Sequence, residues 1–284
     1  MTATRIAGAA AEDAARFHHV HINTTDQARS MKFYEEVFGA VPVKFMNRVD
    51  ALFTERSFLL FNVVEEEPRN AWTTGIWHIG WGGVDVAHEF QWWKKQGVPF
   101  HTELQPLPGE DNFYMYIKGP DQEAIEINTM GHHRFAHVHL FADDVNATSN
   151  WYADHLGLAS RRGREVPKPA GSMETLAGIW MNFIQCGNVN IIVFGKPDQP
   201  GISWWPGKPL VAFEPTRGHV LDHLAFSYRD IGPVYERMKA AGLNIVEPIA
   251  VREPYGMKSF FVLGPEQVLL EIVEAKPIPE GVWE

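Results

Sequence analysis

One short phrase occurs four times along this chain of 284 residues. Residues 16–26 and 134–144 carry the clearest copies, and residues 76–85 and 221–230 carry looser ones. In every copy a histidine lies seven residues before an aspartate. The alternating apolar residues around the histidine predict a β-strand, and the helical spacing after the aspartate predicts an α-helix. Four similar units therefore follow one another.

Each unit continues with strand-like segments, so the sequence predicts an α+β protein of four βαβββ modules. They cover residues 16–67, 74–130, 134–196 and 219–276. Consecutive modules are predicted to pair into two domains with cupped mixed β-sheets, 16–130 and 134–276, because units that each bury one face would do so against each other. Within a module the first and last strands are expected side by side. Residues 1–15 are predicted to be a disordered leader and 277–284 a tail.

The composition disfavours two classes of partner. Lys and Arg total 25 against 35 acidic residues, a net charge of -10, which disfavours nucleic acid. No apolar stretch reaches the ~20 residues of a membrane span, so no membrane partner is expected. Cys186 is the only cysteine, which excludes an intramolecular disulfide. The N-terminus lacks the apolar core of a signal peptide, which favours a cytoplasmic location. An exported protein whose signal peptide has been removed is the alternative. The sequence leaves the oligomeric state open, and a homo-oligomer is one alternative.

Pairing of consecutive modules would bring two histidines and one glutamate together in each domain. The predicted metal ligands are His137, His223 and Glu271 in the C-terminal domain and His19, His78 and Glu126 in the N-terminal domain. Two histidines and one carboxylate suit Fe(II), and also Mn, Ni, Co or Zn. A lone histidine on a strand is more often a core residue, and a glutamate there can face solvent. The repetition of the whole set favours a divalent metal.

Further residues are candidates for contact with a substrate. His21 and His139 follow proposed ligands by two residues, so both should face the same interior as a catalytic base or hydrogen-bond donor, or simply pack there. Tyr255 lies in the loop before the strand that leads to Glu271 and is a catalytic candidate at a pocket mouth. Trp204 and Trp205, in a long loop, are predicted to close on substrate at the C-terminal metal, or to form a dimer or domain contact.

At this point the chain resembles the vicinal oxygen chelate superfamily of glyoxalase I, bleomycin-resistance proteins and type I extradiol dioxygenases. The resemblance covers residues 16–276 and rests on the repeated phrase and on the endings at 119–126 and 264–271. The dioxygenases bind Fe(II) in their C-terminal domain, at the places of His137, His223 and Glu271. They also use a histidine and a tyrosine, whose C-terminal places are taken here by Arg252 and Phe261.

In the N-terminal domain Tyr116 lies at the tyrosine place, ten residues before Glu126, whereas Leu107 stands at the histidine place. The resemblance makes Tyr116 a catalytic candidate. Glyoxalase I takes a fourth ligand, a glutamate, from the last strand of an odd-numbered module. Only Asn62 or Asn190 could contribute there.

The resemblance implies a metal-dependent enzyme that chelates adjacent oxygens of a small aromatic or hydroxy-carbonyl substrate. An Fe(II) oxygenase like the extradiol dioxygenases is the leading hypothesis, because three protein ligands leave room for substrate and O₂. The alternatives are a glyoxalase-like lyase or isomerase and a non-catalytic protein that sequesters a drug or metabolite. The C-terminal set is predicted to be the active one.

Overall fold

The computed structural model describes residues 14–276, except 172, 174, 175, 188, 201, 203 and 206. Most of the predicted leader and the whole predicted tail lie outside the described residues. The first module contains β1 (Arg16–Thr24), α1 (Gln27–Phe38), β2 (Val41–Phe45), β3 (Val49–Phe53) and β4 (Phe58–Val63). The second contains β5 (Ile76–Gly83), α2 (Val86–Lys95), β6 (Phe100–Pro106), β7 (Phe113–Lys118) and β8 (Ala124–Thr129).

The second half of the chain repeats this order. The third module contains β9 (Phe135–Ala142), α3 (Val145–Leu156), β10 (Ala159–Ser160), β11 (Met181–Cys186) and β12 (Val189–Gly195). The fourth contains β13 (Leu221–Tyr228), α4 (Gly232–Ala240), β14 (Ile245–Arg252), β15 (Met257–Leu263) and β16 (Leu269–Glu274). Short 3₁₀ helices lie at Leu176–Gly178 and Pro265–Gln267. None of the described helices has the length and apolar character needed to cross a membrane.

The repeated aspartate begins the helix in three modules. The carboxylates of Asp26, Asp85 and Asp144 accept a hydrogen bond from the backbone N–H three residues on, at 2.9–3.0 Å. This is the usual way an N-cap satisfies a free amide at a helix start. In the fourth module Asp230 instead accepts from the N–H of Gly232, two residues on.

Two eight-stranded mixed sheets make up the fold, and the predicted fold class is confirmed. One sheet has the order β14-β15-β16-β13-β1-β4-β3-β2, and the other has the order β10-β11-β12-β9-β5-β8-β7-β6. The first and last strands of each module are parallel neighbours, as expected. Two modules share each sheet through their antiparallel first strands, β1 with β13 and β5 with β9.

The predicted pairing of module one with module two, and of module three with module four, is wrong. Module one shares its sheet with module four, and module two shares its sheet with module three. The lengths of the connections explain this arrangement. Only residues 130–134 link β8 to β9, and a link this short keeps the two modules in one sheet. The longer segments 64–75 and 196–220 cross between the sheets.

Strand alternation separates an apolar face from a polar face on each first strand. On β1, Val20 and Ile22 are fully buried in the main core, while His19 and His21 point to the opposite face. The core draws on all four modules; the Phe17 ring, for example, lies 5.9 Å from that of Phe135, at the start of module three. The sheets thus share their apolar faces and leave the histidines to the other side.

Candidate metal centres

The corrected pairing regroups the candidate ligands into two clusters, each drawn from both halves of the chain. The inner centre, between modules two and three, consists of His78, Glu126, His137 and His139. The outer centre, between modules one and four, consists of His19, His21, His223 and Glu271. The six candidate metal ligands are those predicted, but the sets His137/His223/Glu271 and His19/His78/Glu126 do not occur. The first strand of each module pairs with the first strand of a different module from the one predicted.

Three donor atoms of the inner centre converge closely. Oε2 of Glu126 lies 2.7 Å from Nε2 of His78 and 3.1 Å from Nε2 of His137. The two imidazole nitrogens are 3.3 Å apart. Burial alone would raise the pKa of the Glu126 carboxyl, but its contacts with His137 and His78 outweigh burial and hold that pKa well below its ordinary value. An ionised carboxylate beside two imidazoles is a donor set suited to a divalent metal.

His139 adds a fourth nitrogen within reach of the same point. One ligand atom from each of His78, Glu126, His137 and His139 lies within 4.8 Å of the others. Both ring nitrogens of His139 are buried and neither has a hydrogen-bond partner among the described residues. Burial, and then the neighbouring His78, lower its pKa well below the usual value, so the ring is neutral. A neutral buried imidazole with two open nitrogens fits a site that receives a ligand.

Glycine at position 80 makes room for the inner centre. Gly80 lies opposite His137 in the β5–β9 ladder. A Cβ atom there would lie 2.2 Å from Cε1 of the His137 ring, closer than atoms can pack. The equivalent residue opposite His19 is Ala225. The two centres therefore differ in how the backbone supports the facing imidazole.

The outer centre has a similar core. Oε2 of Glu271 lies 3.2 Å from Nε2 of His19 and 3.4 Å from Nε2 of His223. Both nitrogens are buried, and neither approach has hydrogen-bond geometry. Neither nitrogen is held by a hydrogen bond among the described residues, so both are available to a shared ion that displaces any proton they carry, and these residues fit a metal as well. Ser259 donates a hydrogen bond to Oε1 of Glu271, which orients the carboxylate.

A carboxylate holds one histidine of the outer centre. Nδ1 of His223 donates to Oδ1 of Asp222 at 2.7 Å, which leaves Nε2 for the centre. Burial would lower the pKa of His223, but Asp222 and then Glu271 raise it to about 9. Carboxylate partners of this kind fix the tautomer and increase the basicity of a metal-binding imidazole. Trp77 takes the place of Asp222 before His78.

His21 differs from His139 although both follow a candidate ligand by two residues. The hydroxyl of Tyr255 lies 3.2 Å from Nε2 of His21 and donates to the carbonyl of Phe61 at 2.9 Å. Burial, and then Glu271, raise the pKa of Tyr255 to about 12, so this hydroxyl stays protonated. His21 is therefore held by the protein, whereas His139 is open.

Neither β4 nor β12, the strands from which glyoxalase I would take a glutamate as its fourth ligand, contains a carboxylate. In β4, Phe58 and Leu60 lie in register with His19 and His21. In β12, Asn190 and Ile192 lie in register with His137 and His139. The predicted substitute Asn62 donates its amide to Asn23 at 3.0 Å instead.

A cavity of about 1110 Å³ opens onto the inner centre. Glu126 and His139 contribute to its wall, and the rest is largely apolar and aromatic. Tyr116 lines it beside the metal candidates, with its ring 5.1 Å from that of His78. Trp204 lines it as well, whereas Trp205 is 5% exposed and packs against Phe141 and Trp77. Both tryptophans therefore lie at the inner centre rather than at the predicted C-terminal set.

The sequence pattern did not single out three residues that lie at these centres or line the cavity. Asp222 directly precedes His223, so the adjacent acid was a usable signal. Gly80 lies between two tryptophans of a buried strand, where a glycine often marks a close approach of another group. Arg162 belongs to the long basic loop after α3 and lines the cavity. Nothing in its local pattern distinguishes it from Arg161.

The sequence pattern of the Glyoxalase/Bleomycin resistance protein/Dioxygenase superfamily matches residues 16–127 and 134–272. The chain belongs to this superfamily. The name of the superfamily covers both enzymes and resistance proteins, so membership does not identify the reaction. No curated protein sequence matches the chain.

Solved structures agree with the fold. Glyoxalase I from Zea mays aligns with 92% of this chain and 92% of its own, with a TM-score of 0.68 at 17% identity. A putative dioxygenase from Bacillus subtilis subsp. subtilis str. 168 aligns with 94% of this chain and 88% of its own, with a TM-score of 0.61 at 12% identity. At these identities the likeness concerns the fold.

Proposed function

We propose that the protein is a metal-dependent enzyme whose active site is the inner centre, with His78, Glu126 and His137 as ligands. The observation that carries this proposal is the convergence of three buried donor atoms within 3.3 Å of one another beside a large aromatic cavity. A pocket of this size and lining is typical of small-molecule sites. The inner centre thus replaces the predicted C-terminal set as the active site.

The bound ion would polarise two adjacent substrate oxygens and, if it is Fe(II), activate O₂. The protein residues position the substrate and exclude water. In the cavity wall the His139 ring lies 4.1 Å from that of Phe194, and the Phe194 ring lies 6.2 Å from that of Trp204. His139 holds or accepts a substrate proton, because its nitrogens have no protein partner.

An oxygenase resembling the extradiol dioxygenases is the favoured reaction. The regrouping brings Tyr116 and His139 into one site with the three ligands, so a tyrosine and a histidine accompany the triad. Tyr116 faces Glu126 across the β7–β8 ladder. Burial, and then Glu126, raise the pKa of Tyr116 well above the usual value, so the hydroxyl is a proton donor rather than an anion.

A glyoxalase-like lyase or isomerase is the second candidate, and one observation favours it. The closeness of His139 to the other three donors allows four protein ligands. Four ligands would leave fewer open positions, which suits Lewis-acid chemistry on a chelated substrate better than O₂ activation. Iron with O₂ uptake supports the oxygenase; nickel or zinc without uptake supports the lyase or isomerase.

The test is elemental analysis of anaerobically purified protein, followed by O₂ uptake and product analysis with catechols and hydroxy-ketones. Glu126→Ala and Glu271→Ala form a matched pair, since each removes the carboxylate of one centre. Turnover should disappear in Glu126→Ala and persist in Glu271→Ala. The reverse result would move the active site to the outer centre. Protein without stoichiometric metal that still binds ligand would favour sequestration.

A further inference from the structure

The cavity over the inner centre has a single cationic side chain. Among its described lining residues, Arg162 is the only lysine or arginine, and it belongs to the loop that follows β10. The other walls near this loop are apolar, including Met181, Phe183 and Trp204. A substrate there meets an aromatic surface and one positive charge.

Arg162 is held in place without being neutralised. Its guanidinium carbon lies 4.9 Å over the Phe183 ring, and Nη1 lies 3.5 Å from the carbonyl oxygen of Met181. No described carboxylate forms an ion pair with it. Its neighbour Arg164, in contrast, pairs with Asp154. Stacking on an aromatic ring orients a guanidinium and leaves its N–H groups available for a carboxylate.

The net negative charge of the chain makes the positive charge of Arg162 important for binding an anion. With a net charge of -10, the protein repels small anions at long range, so an acidic substrate needs a local positive group. Glu126, which also lines the cavity, lies on β8, four strands from β11 in the same sheet, and belongs to the metal candidates. The two charged lining residues therefore have opposite signs and separate roles.

We infer that the substrate is a hydrophobic, preferably aromatic, organic anion whose carboxylate binds Arg162 while its other end reaches the inner centre. Arg162 is then a specificity-determining residue. Binding by a bidentate guanidinium favours a planar carboxylate over a neutral group of the same shape. The claim that the substrate reaches the inner centre rests on the proposed function, whereas the claim that its carboxylate binds Arg162 does not.

Isothermal titration calorimetry of the full-length protein with naphthalene-1-acetate and its neutral analogue naphthalene-1-acetamide tests this inference. The titrations are made on protein as purified and again after removal of metal with EDTA, so that carboxylate binding to an ion is separated from binding to Arg162. The acid should bind about tenfold or more tightly than the amide, the equivalent of one charge-assisted hydrogen bond.

Arg162→Gln should remove that preference by weakening the acid about tenfold while changing the amide less than about twofold. Arg161→Gln is the matched control, because it removes the same charge from the adjacent residue and should leave both ligands unchanged. Equal binding of acid and amide, no binding of either, or an equal loss in Arg161→Gln would overturn the inference. Failure of the proposed function would instead appear as missing metal or missing turnover.

Discussion

Asp222 and Trp77 occupy the same place in two repeated modules, each directly before a candidate metal-binding histidine, and they have opposite effects on it. Asp222 accepts a 2.7 Å hydrogen bond from His223, whereas the Trp77 ring packs edge-on against that of His78 at 4.4 Å and lines the cavity. The outer centre thus has an added negative charge, and the inner centre has an aromatic wall. Under the proposed function, this difference suits the outer centre to tight ion binding and the inner centre to access of an organic molecule.

Asp222→Asn should lower the metal affinity of the outer centre about 10- to 100-fold, because the carboxylate fixes the His223 tautomer and increases its basicity. The measurement is a competitive Co(II) or Zn(II) titration in a Glu126→Ala background, where the inner centre is disabled. Asp230→Asn is the control with the same change of charge in the same module. Unchanged affinity in Asp222→Asn would contradict the assigned role.

His139→Gln should reduce turnover about 10²- to 10⁴-fold, the usual contribution of a positioned acid or base, while the metal content of the protein stays the same. The physical reason is that the ring nitrogens of His139 have no hydrogen-bond partner among the described residues and that His139 lines the cavity. His21→Gln is the control at the equivalent place and should leave turnover unchanged. Loss of inner-centre metal in His139→Gln would instead identify a fourth ligand and favour the lyase or isomerase.

Gly80→Ala should displace the His137 ring and weaken metal binding at the inner centre. The added methyl group would lie 2.2 Å from that ring, and overpacking of this kind costs about 1–3 kcal/mol. Metal titration in a Glu271→Ala background and thermal unfolding measure the two effects. Gly171→Ala, where no described residue beyond the chain neighbours lies within 4 Å of the new Cβ, should change neither. If Gly80→Ala binds metal normally, the proposed geometry of His137 is wrong.

Glu123 should make folding stability depend on pH between about 4.5 and 7. Its side chain is 1% exposed, and burial raises its pKa to about 7 although Tyr34 and the Asp121 amide donate to the carboxylate at 2.6 and 2.9 Å. A raised carboxyl pKa means that the folded state holds the proton more tightly. This stabilisation is complete below the unfolded pKa and is lost as the pH rises through the folded one.

The difference amounts to about 2–4 kcal/mol at 1.36 kcal/mol per pKa unit. Denaturant unfolding at pH 5 and pH 8 should therefore show a larger fall for the native protein than for Glu123→Gln. Glu110→Gln, at an exposed turn, should retain the native difference. Equal pH dependence in native protein and Glu123→Gln would exclude this carboxyl as the source.

Much of the fold could be predicted because the sequence of each module contains the signals for its own helix and strands. The aspartate caps the helix, alternation sorts His19 from Val20, and the parallel contact between first and last strands lies within one module. No local sequence signal of this kind specifies which modules pair with each other. All four first strands offer a similar free edge, and a histidine strand in one module fits any other. The best available clue was the short connection at residues 130–134.

The six predicted ligands do lie in the two clusters, but their grouping depended on that pairing. Roles that depend on distant contacts were harder still. Tyr255 and Phe61 are far apart in sequence, and only folding brings them together to hold His21. The difference between His21 and His139 is invisible locally, because both follow the same pattern on the same kind of strand. Arg162 becomes distinct from Arg161 only when Phe183 is placed beneath it.

The nested pairing of modules also sets an order for synthesis on the ribosome. All ligands of the inner centre have been made once His139 has emerged, and β12 completes its sheet at Gly195. His19, in contrast, waits 252 residues for Glu271, since 271 less 19 is 252. Until β13 (Leu221–Tyr228) has been made, β1 has an unpaired edge, the kind of surface that chaperones cover in nascent chains. The inner pair of modules can mature first, and the outer pair closes around a finished neighbour.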